Sequence, residues 1–263
     1  MRHGAPAGAA LVLDRVSYRY PGERAGGVGD ISFSIASGER LGVVGATGSG
    51  KTTLAGVMLG LLPPQSGVMS VGAAARERDL FAPMDENEGV ARAWRRRAAY
   101  VPQDIFLLDA TVAENIAFGE TGAERDDARV EAAARMACVH DFVAGSLPDG
   151  YATITGERGV RLSGGQRQRI GIARALYRDA AFIVFDEATS ALDNLTEREV
   201  MAAIDAIPGD RTLVIIAHRL STIRSCDRIL MLDGGAVAAL GSWDELMRDS
   251  EAFRRFADIA AAH

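Results

Sequence analysis

The stretch that most constrains the fold is Gly45-Ala46-Thr47-Gly48-Ser49-Gly50-Lys51-Thr52-Thr53. It fits G-x-x-x-x-G-K-[ST], the pattern of a phosphate-binding loop, or P-loop. The residue types follow from the task. Successive backbone N–H groups must converge on phosphate oxygens, and glycine lets the chain curl that tightly without a clashing Cβ. Lys51 brings a point charge toward the outer phosphates, and the Thr52 hydroxyl is the expected Mg²⁺ ligand. The flanks agree. Arg40–Val44 reads as a short buried strand, and Leu54, Val57, Met58 and Leu61 recur at helical spacing before Pro63-Pro64. The pattern therefore joins a strand to a helix N-terminus, where free N–H groups and the dipole favour an anion.

Composition bounds the rest. The chain has 263 residues, 48% hydrophobic and 24% charged, enough for one large domain or two small ones. A net charge of −6 carries no overall electrostatic footprint for nucleic acid, so no nucleic-acid partner is expected. Cys138 and Cys226 lie far apart and suit core positions in a reducing compartment. The four histidines, His3, His140, His218 and His263, form no metal-spaced cluster. Thr52–Ala75 is uncharged, but its apolar part, Leu54–Leu62, is too short for a membrane span and ends at Pro63-Pro64. Residues 1–10 read as a flexible leader with no signal-peptide core, followed by one domain over 11–263. Any membrane anchor would have to come from another polypeptide segment.

Alternation over Leu11–Leu13, Val16–Tyr20 and Ile31–Ile35 predicts a small antiparallel sheet before the P-loop. Gly67–Val71 and Ala98–Pro102 are further strand candidates. Between them, Ala73–Arg97 is charged and reads as a solvated loop or helix. Leu107–Asp149 is mostly helical in pattern, with Asp126–Val143 as one amphipathic run, and Gln166–Tyr177 is amphipathic too. Ala181–Phe185 and Thr212–Ala217 are continuous apolar runs, which suit parallel strands buried on both faces. Ile229–Leu232 leads into Asp233-Gly234-Gly235, a hairpin signal, and Trp243–Phe256 reads as a terminal helix.

Asp186-Glu187 follows the first apolar run, where α/β sheets bind ligands. Asp186 is placed to hold Mg²⁺, directly or through water, and Glu187 to polarise an attacking water. Leu162-Ser163-Gly164-Gly165-Gln166 supplies a second anion site: Ser163 can cap the following helix while Gly164 and Gly165 expose N–H groups. One chain offers only one such site besides its P-loop, which points to two chains facing each other.

These motifs, in this order, resemble the nucleotide-binding domain of ATP-binding cassette (ABC) transporters over roughly residues 12–250. The resemblance implies a P-loop NTPase of α/β class: a RecA-like core, an antiparallel β-subdomain near the N-terminus and an α-helical subdomain at about 105–167. It implies ATP and Mg²⁺ as ligands. It assigns Tyr20 to stacking on adenine, and Gly45, Thr47, Gly48, Ser49, Gly50, Lys51, Thr52 and Thr53 to the phosphates. Ser163, Gly164, Gly165 and Gln166 become the signature that meets the partner's nucleotide. Gln103, in Tyr100-Val101-Pro102-Gln103, becomes the glutamine that touches Mg²⁺ and faces a membrane domain. Ser190-Ala191-Leu192-Asp193 becomes the loop crossing the dimer interface, and His218 the switch that contacts the γ-phosphate. Thr111–Ile116 and Gly156-Glu157-Arg158-Gly159 resemble exporter-type cassettes. Ile170–Leu176, Phe185–Asn194 and Thr212–Ile223 look like bacterial flippases of lipid-linked oligosaccharides. The implied partners are a second copy and a transmembrane domain at the cytoplasmic face of the bacterial inner membrane. Two departures stand out: Ile154 occupies a position where many exporters carry glutamate, and Ala73–Arg97 is longer than the family norm. The alternatives are a soluble ABC ATPase acting on DNA, ribosomes or iron–sulfur assembly, and a P-loop kinase, against which the signature argues.

Overall fold

A computed structural model describes the chain except for residues 1–8, 23–25, 73–77, 81–83, 121, 189–191, 218 and 262–263. Ser190, Ala191 and His218 of the sequence reading therefore lie outside the described residues. In chain order the elements begin with β1 (Ala9–Tyr18), β2 (Val28–Ala36), β3 (Arg40–Val44), α1 (Lys51–Met58), β4 (Ser66–Val71), β5 (Arg78–Asp79) and α2 (Met84–Arg97). There follow β6 (Ala98–Val101), α3 (Val112–Ile116), α4 (Asp127–Met136), α5 (His140–Ser146) and α6 (Gly164–Tyr177). The chain closes with β7 (Phe182–Asp186), α7 (Asn194–Asp205), β8 (Thr212–Ile216), α8 (Leu220–Ile223), β9 (Arg228–Asp233), β10 (Ala236–Gly241), α9 (Trp243–Asp249) and α10 (Glu251–Ala261). Two compact units share these elements. One takes Met1–Ala98, Ala181–Asp186 and Gly209–His263; the other takes Ala99–Ala180 and Glu187–Pro208.

In the first unit, β2, β1, β4 and β5 form an antiparallel sheet in that order. Ile31, Phe33 and Ile35 point to its buried face, as their alternation requires. β1 is one strand where the sequence suggests two short pieces. It bulges at Arg15, whose φ is 51°, and its register shifts there against both neighbours. It also begins at Ala9, so Ala9 and Ala10 belong to the sheet and not to a leader. The second sheet of this unit runs β10-β9-β3-β8-β7, with β9, β3, β8 and β7 parallel. One apolar core joins both sheets and α1, with Leu11, Ile31, Leu54, Met58, Phe182 and Val214 among its members.

The charged stretch before β6 is not simply solvated. Its helix α2 buries Ala91, and Trp94 meets the Phe182 ring at 5.0 Å while its indole N–H donates to the Met58 carbonyl at 2.8 Å. Arg95, Arg96 and Arg97 occupy the last turn, where they complement the helix dipole.

In the second unit the amphipathic run over Asp126–Val143 is two helices. Cys138 takes a left-handed φ of 53° between α4 and α5 and breaks the period. This unit extends past 105–167, because α6 packs against α3, α4 and α7.

Candidate active site

β3 and β7 flank β8, and Val43 and Asp186 are both register partners of Ile216. Two strand spacings then separate them, about 10 Å. The P-loop that follows β3 and the carboxylate that ends β7 thus leave one sheet edge at the same level. Open parallel sheets hold ligands at such carboxyl ends.

The loop is shaped by glycine at three places. Gly45, Gly48 and Gly50 have φ of 150°, 79° and 100°. A Cβ on Gly45 would stand 2.3 Å from the Leu232 carbonyl oxygen, and one on Gly50 would stand 2.6 Å from that of Gly27. Gly50 caps α1 with no side-chain hydrogen bond, so the first N–H groups of the helix are not claimed by a capping side chain. The buried Lys51 ammonium donates to the carbonyls of Gly45 (2.9 Å) and Ala46 (3.0 Å), which holds the charge inside the curl. Ser49 Oγ is buried without a hydrogen-bond partner. An orphaned hydroxyl in a loop of converging N–H groups is what a phosphate oxygen would satisfy. Thr47 and Thr52 are exposed, Thr53 is buried, and Asp186 is buried at 6 % exposure. Among the described residues no group of three or more His, Cys, Asp or Glu could hold a metal. The donor set of Thr52 and Asp186 suits Mg²⁺, which takes few protein ligands and completes its shell with phosphate and water.

Tyr20 lies just past β1, half-buried, edge-on to Tyr18 with ring centroids 5.2 Å apart. The backbone beside it is clamped: the Arg19 N–H donates to Gln65 Oε1 (3.1 Å), and the Gln65 amide donates back to the Arg19 carbonyl (2.8 Å). A groove of about 380 Å³ runs from Arg19 past Gly27 and Gly235 to Gly48 of the P-loop. The β9–β10 turn supports that loop directly, since the Gly235 N–H donates to the Ser49 carbonyl at 3.1 Å and the Gly235 carbonyl accepts from Gly29 at 2.8 Å. Sequence reasoning took Gly234-Gly235 only as a hairpin and missed Gln65 altogether. Nothing local to either residue signals these contacts.

In the second unit, Ser163 caps α6. Its Oγ accepts from the Gln166 N–H at 3.3 Å, and Gln166 Oε1 accepts from the Ser163 N–H at 2.8 Å. This reciprocal capping box occupies the Gln166 carboxamide. Gly164 and Gly165 are helical, and their need for glycine is steric. A Cβ on Gly165 would fall 2.1 Å from Thr196 Cγ2, and one on Gly164 would fall 2.9 Å from Leu192 Cδ2. Asp193 caps α7 by accepting from the N–H groups of Leu195 (3.0 Å) and Thr196 (3.1 Å) and from the Thr196 hydroxyl (2.6 Å). Those bonds, the hydroxyl first, hold its carboxyl below the usual range. Glu187 is half-buried with φ of 51°, a left-handed backbone uncommon outside glycine, and strain of this kind clusters at functional positions. The Gln103 side chain is exposed.

The exporter-like segment Thr111–Ile116 supplies a buried polar hub. Asn115 is fully buried; its Oδ1 accepts from the Leu108 N–H, and its amide donates to the carbonyls of Leu108 and Thr111. Arg174 of α6 donates to the Asn115 carbonyl (2.9 Å) and the Phe106 carbonyl (3.2 Å), and its guanidinium lies over the Phe118 ring. Burial pushes the Arg174 pKa down to about 10, so it stays charged at neutral pH. Around this hub, Phe106, Leu108, Phe118 and Ile154 are exposed, Phe106 at 57 %.

Comparison with known proteins agrees with the architecture. A family profile described as ABC transporter matches residues 28–190. The chain is 44% identical over 246 residues to the ATP-dependent lipid A-core flippase of Burkholderia pseudomallei (strain 1710b), covering 92% of this chain and 39% of that protein. It is 40% identical to the beta-(1-->2)glucan export ATP-binding/permease protein NdvA of Brucella abortus biovar 1 (strain 9-941), covering 96% of this chain and 39% of that one. A solved bacterial Atm1-family ABC exporter with ATP bound matches with a TM-score of 0.80 at 37% identity, over 96% of this chain and 42% of that one. The fold and site define an ATP-binding P-loop ATPase domain. The chain belongs to the ABC transporter family. It spans about two fifths of the length of these relatives, which are membrane transporters, and no described helix is long and apolar enough to cross a membrane.

Proposed function

We propose that this domain hydrolyses ATP to drive an exporter or flippase of lipid-linked oligosaccharides, working as a head-to-tail pair beneath a membrane domain at the cytoplasmic face. The observation that carries the reading is the shared sheet edge: a glycine-shaped loop with an orphaned Ser49 hydroxyl and a Lys51 charge, level with the buried carboxylate of Asp186. The likeness to membrane transporters favours transport over a soluble ABC ATPase.

Each residue then has a task. The N–H groups of the P-loop and Lys51 neutralise the charge that spreads over the phosphoryl oxygens in the transition state. Thr52 and Asp186 would hold Mg²⁺, with Gln103 as a further contact; the ion supplies charge neutralisation at the outer phosphates. Glu187 orients the attacking water. Tyr20 offers its ring to adenine. His218 is assigned to the γ-phosphate and Ser163 to the nucleotide of the partner copy. The apolar set Phe106, Leu108, Phe118 and Ile154 offers the membrane domain a greasy seat. There Ile154 replaces a charged contact with an apolar one.

The test is Lys51→Ala in the full transporter. Steady-state ATP hydrolysis should fall about a hundredfold or more, with circular dichroism unchanged. Near-normal turnover in folded protein would overturn the reading.

A further inference from the structure

Gln168 lies in the second turn of α6, two residues after the signature, and is 5 % exposed. Its side-chain amide donates to two backbone carbonyls, those of Pro102 (3.3 Å) and Gln103. These residues begin the loop that leaves β6. Two positions past Gln103, Ile105 fills the space left by Gly171, where a Cβ would stand 2.5 Å from Ile105 Cδ1. Gln168 and Gly171 are neighbours on one helical face. That face seats the loop at two points, while the side chains of Gln103 and Asp104 remain exposed. The loop backbone is held and its functional side chain is left free.

The other end of Gln168 shows why an amide is needed there. Its Oε1 is buried with no hydrogen-bond partner. An unpaired buried acceptor is unfavourable. A methionine or leucine would fill the same volume without creating one. The position therefore bears an orphaned oxygen for the sake of the donors on the same group.

We propose that Gln168 is a positioning residue that ties the backbone of Gln103 to the signature helix, so that a shift of one is carried to the other. The inference rests on the proposed role of Gln103 in contacting the metal-bound nucleotide. It adds that this glutamine is aligned by the same helix that presents Ser163 to the partner copy.

The test uses the full transporter with Gln168→Met and Gln168→Glu. Methionine keeps the bulk and removes the donors. Glutamate restores a donor only when protonated; ionised, it faces two carbonyl oxygens, and burial favours its neutral form. For Gln168→Met, kcat should fall about tenfold to a hundredfold, as misplacement of a catalytic group does, while ADP affinity and the KM for ATP stay within about twofold. Amide hydrogen exchange at Gln103–Ile105 should speed up, with α6 unchanged. Relative to wild type, Gln168→Glu should approach Gln168→Met as pH rises and its carboxyl ionises, and recover as pH falls and the carboxyl regains its proton. The proposal is overturned if Gln168→Met keeps kcat and loop exchange at wild-type values. It is equally overturned if both variants lose α6 protection together and glutamate shows no recovery at low pH, which is the behaviour of a packing residue. Lys51→Ala is run alongside. Activity surviving in that control contradicts the ATPase reading, whereas a dead control with unaffected Gln168 variants contradicts only this inference.

Discussion

The P-loop and the signature are both glycine-rich starts of helices, and they use glycine for opposite reasons. At the P-loop the backbone is left-handed at Gly48, where a Cβ would meet no neighbour, so the requirement there is conformational alone, and no side chain caps α1. At the signature the backbone is ordinary helix. Gly165 is required because Thr196 of α7 occupies the place of a Cβ, and Ser163 and Gln166 already cap α6. The first helix start is left open for a ligand of its own chain. The second is finished and rigid, a surface with an exposed Ser163 to be offered to something else.

The steepest test of that contrast is a pair of alanine substitutions. Gly165→Ala drives a methyl into Thr196 and should cost about 1–3 kcal/mol of stability, the usual scale of overpacking. Thr196→Ser, which removes the clashing methyl, should restore much of it. Gly48→Ala meets no neighbour but takes a left-handed φ, a strain of about 1–2 kcal/mol that no second substitution relieves. Thermal melts of the four proteins decide the matter. A Gly165→Ala protein that Thr196→Ser fails to restore would erase the distinction.

A second contrast concerns ligand binding by one isolated copy. Tyr20→Ala should weaken ATP binding by about 1–3 kcal/mol, the scale of base–aromatic stacking. Ser163→Arg should leave that affinity unchanged, since the proposed function assigns the signature to the other copy. Calorimetry that finds the reverse order would show that the two sites are wrongly assigned.

Much of this was legible from residues alone because the chemistry concentrates it. The P-loop packs every requirement into contiguous positions, and Asp186 announces itself at the end of the apolar run of β7. The antiparallel strands and the central parallel ones followed from alternation and from continuous burial. What escaped was decided by distant partners. Gly165 answers to Thr196, Gln168 to a loop carbonyl, and Arg174 to Asn115 and Phe118. Charge hid the apolar side of α2, where Trp94 reaches Phe182, and one left-handed residue, Cys138, split a regular helical period. Period and composition report the environment of a segment, not the identity of its neighbour.

The smallest effect tests how finished the second region is. Asp193 caps α7 with a carboxyl whose folded pKa lies below the ordinary value near 3.9. A depressed pKa stabilises above that ordinary value and is lost as pH falls through the folded one. The difference in melting temperature between wild type and Asp193→Asn should therefore be steady near neutrality and change only in acid, below about pH 4. A difference that varied around pH 6–8 would point to another titrating group beside the cap.

The central claim is that the open helix start of one copy and the finished start of another close on the same ATP. Glu187→Gln keeps the size of the side chain but removes the carboxylate proposed to orient water, so bound ATP should persist. Light scattering coupled to gel filtration measures the outcome on the isolated domain. With Mg-ATP, Glu187→Gln should run as a dimer; with ADP it should run as a monomer, and Ser163→Arg added to Glu187→Gln should abolish the dimer. A Glu187→Gln protein that binds ATP yet stays monomeric at high concentration would contradict the account.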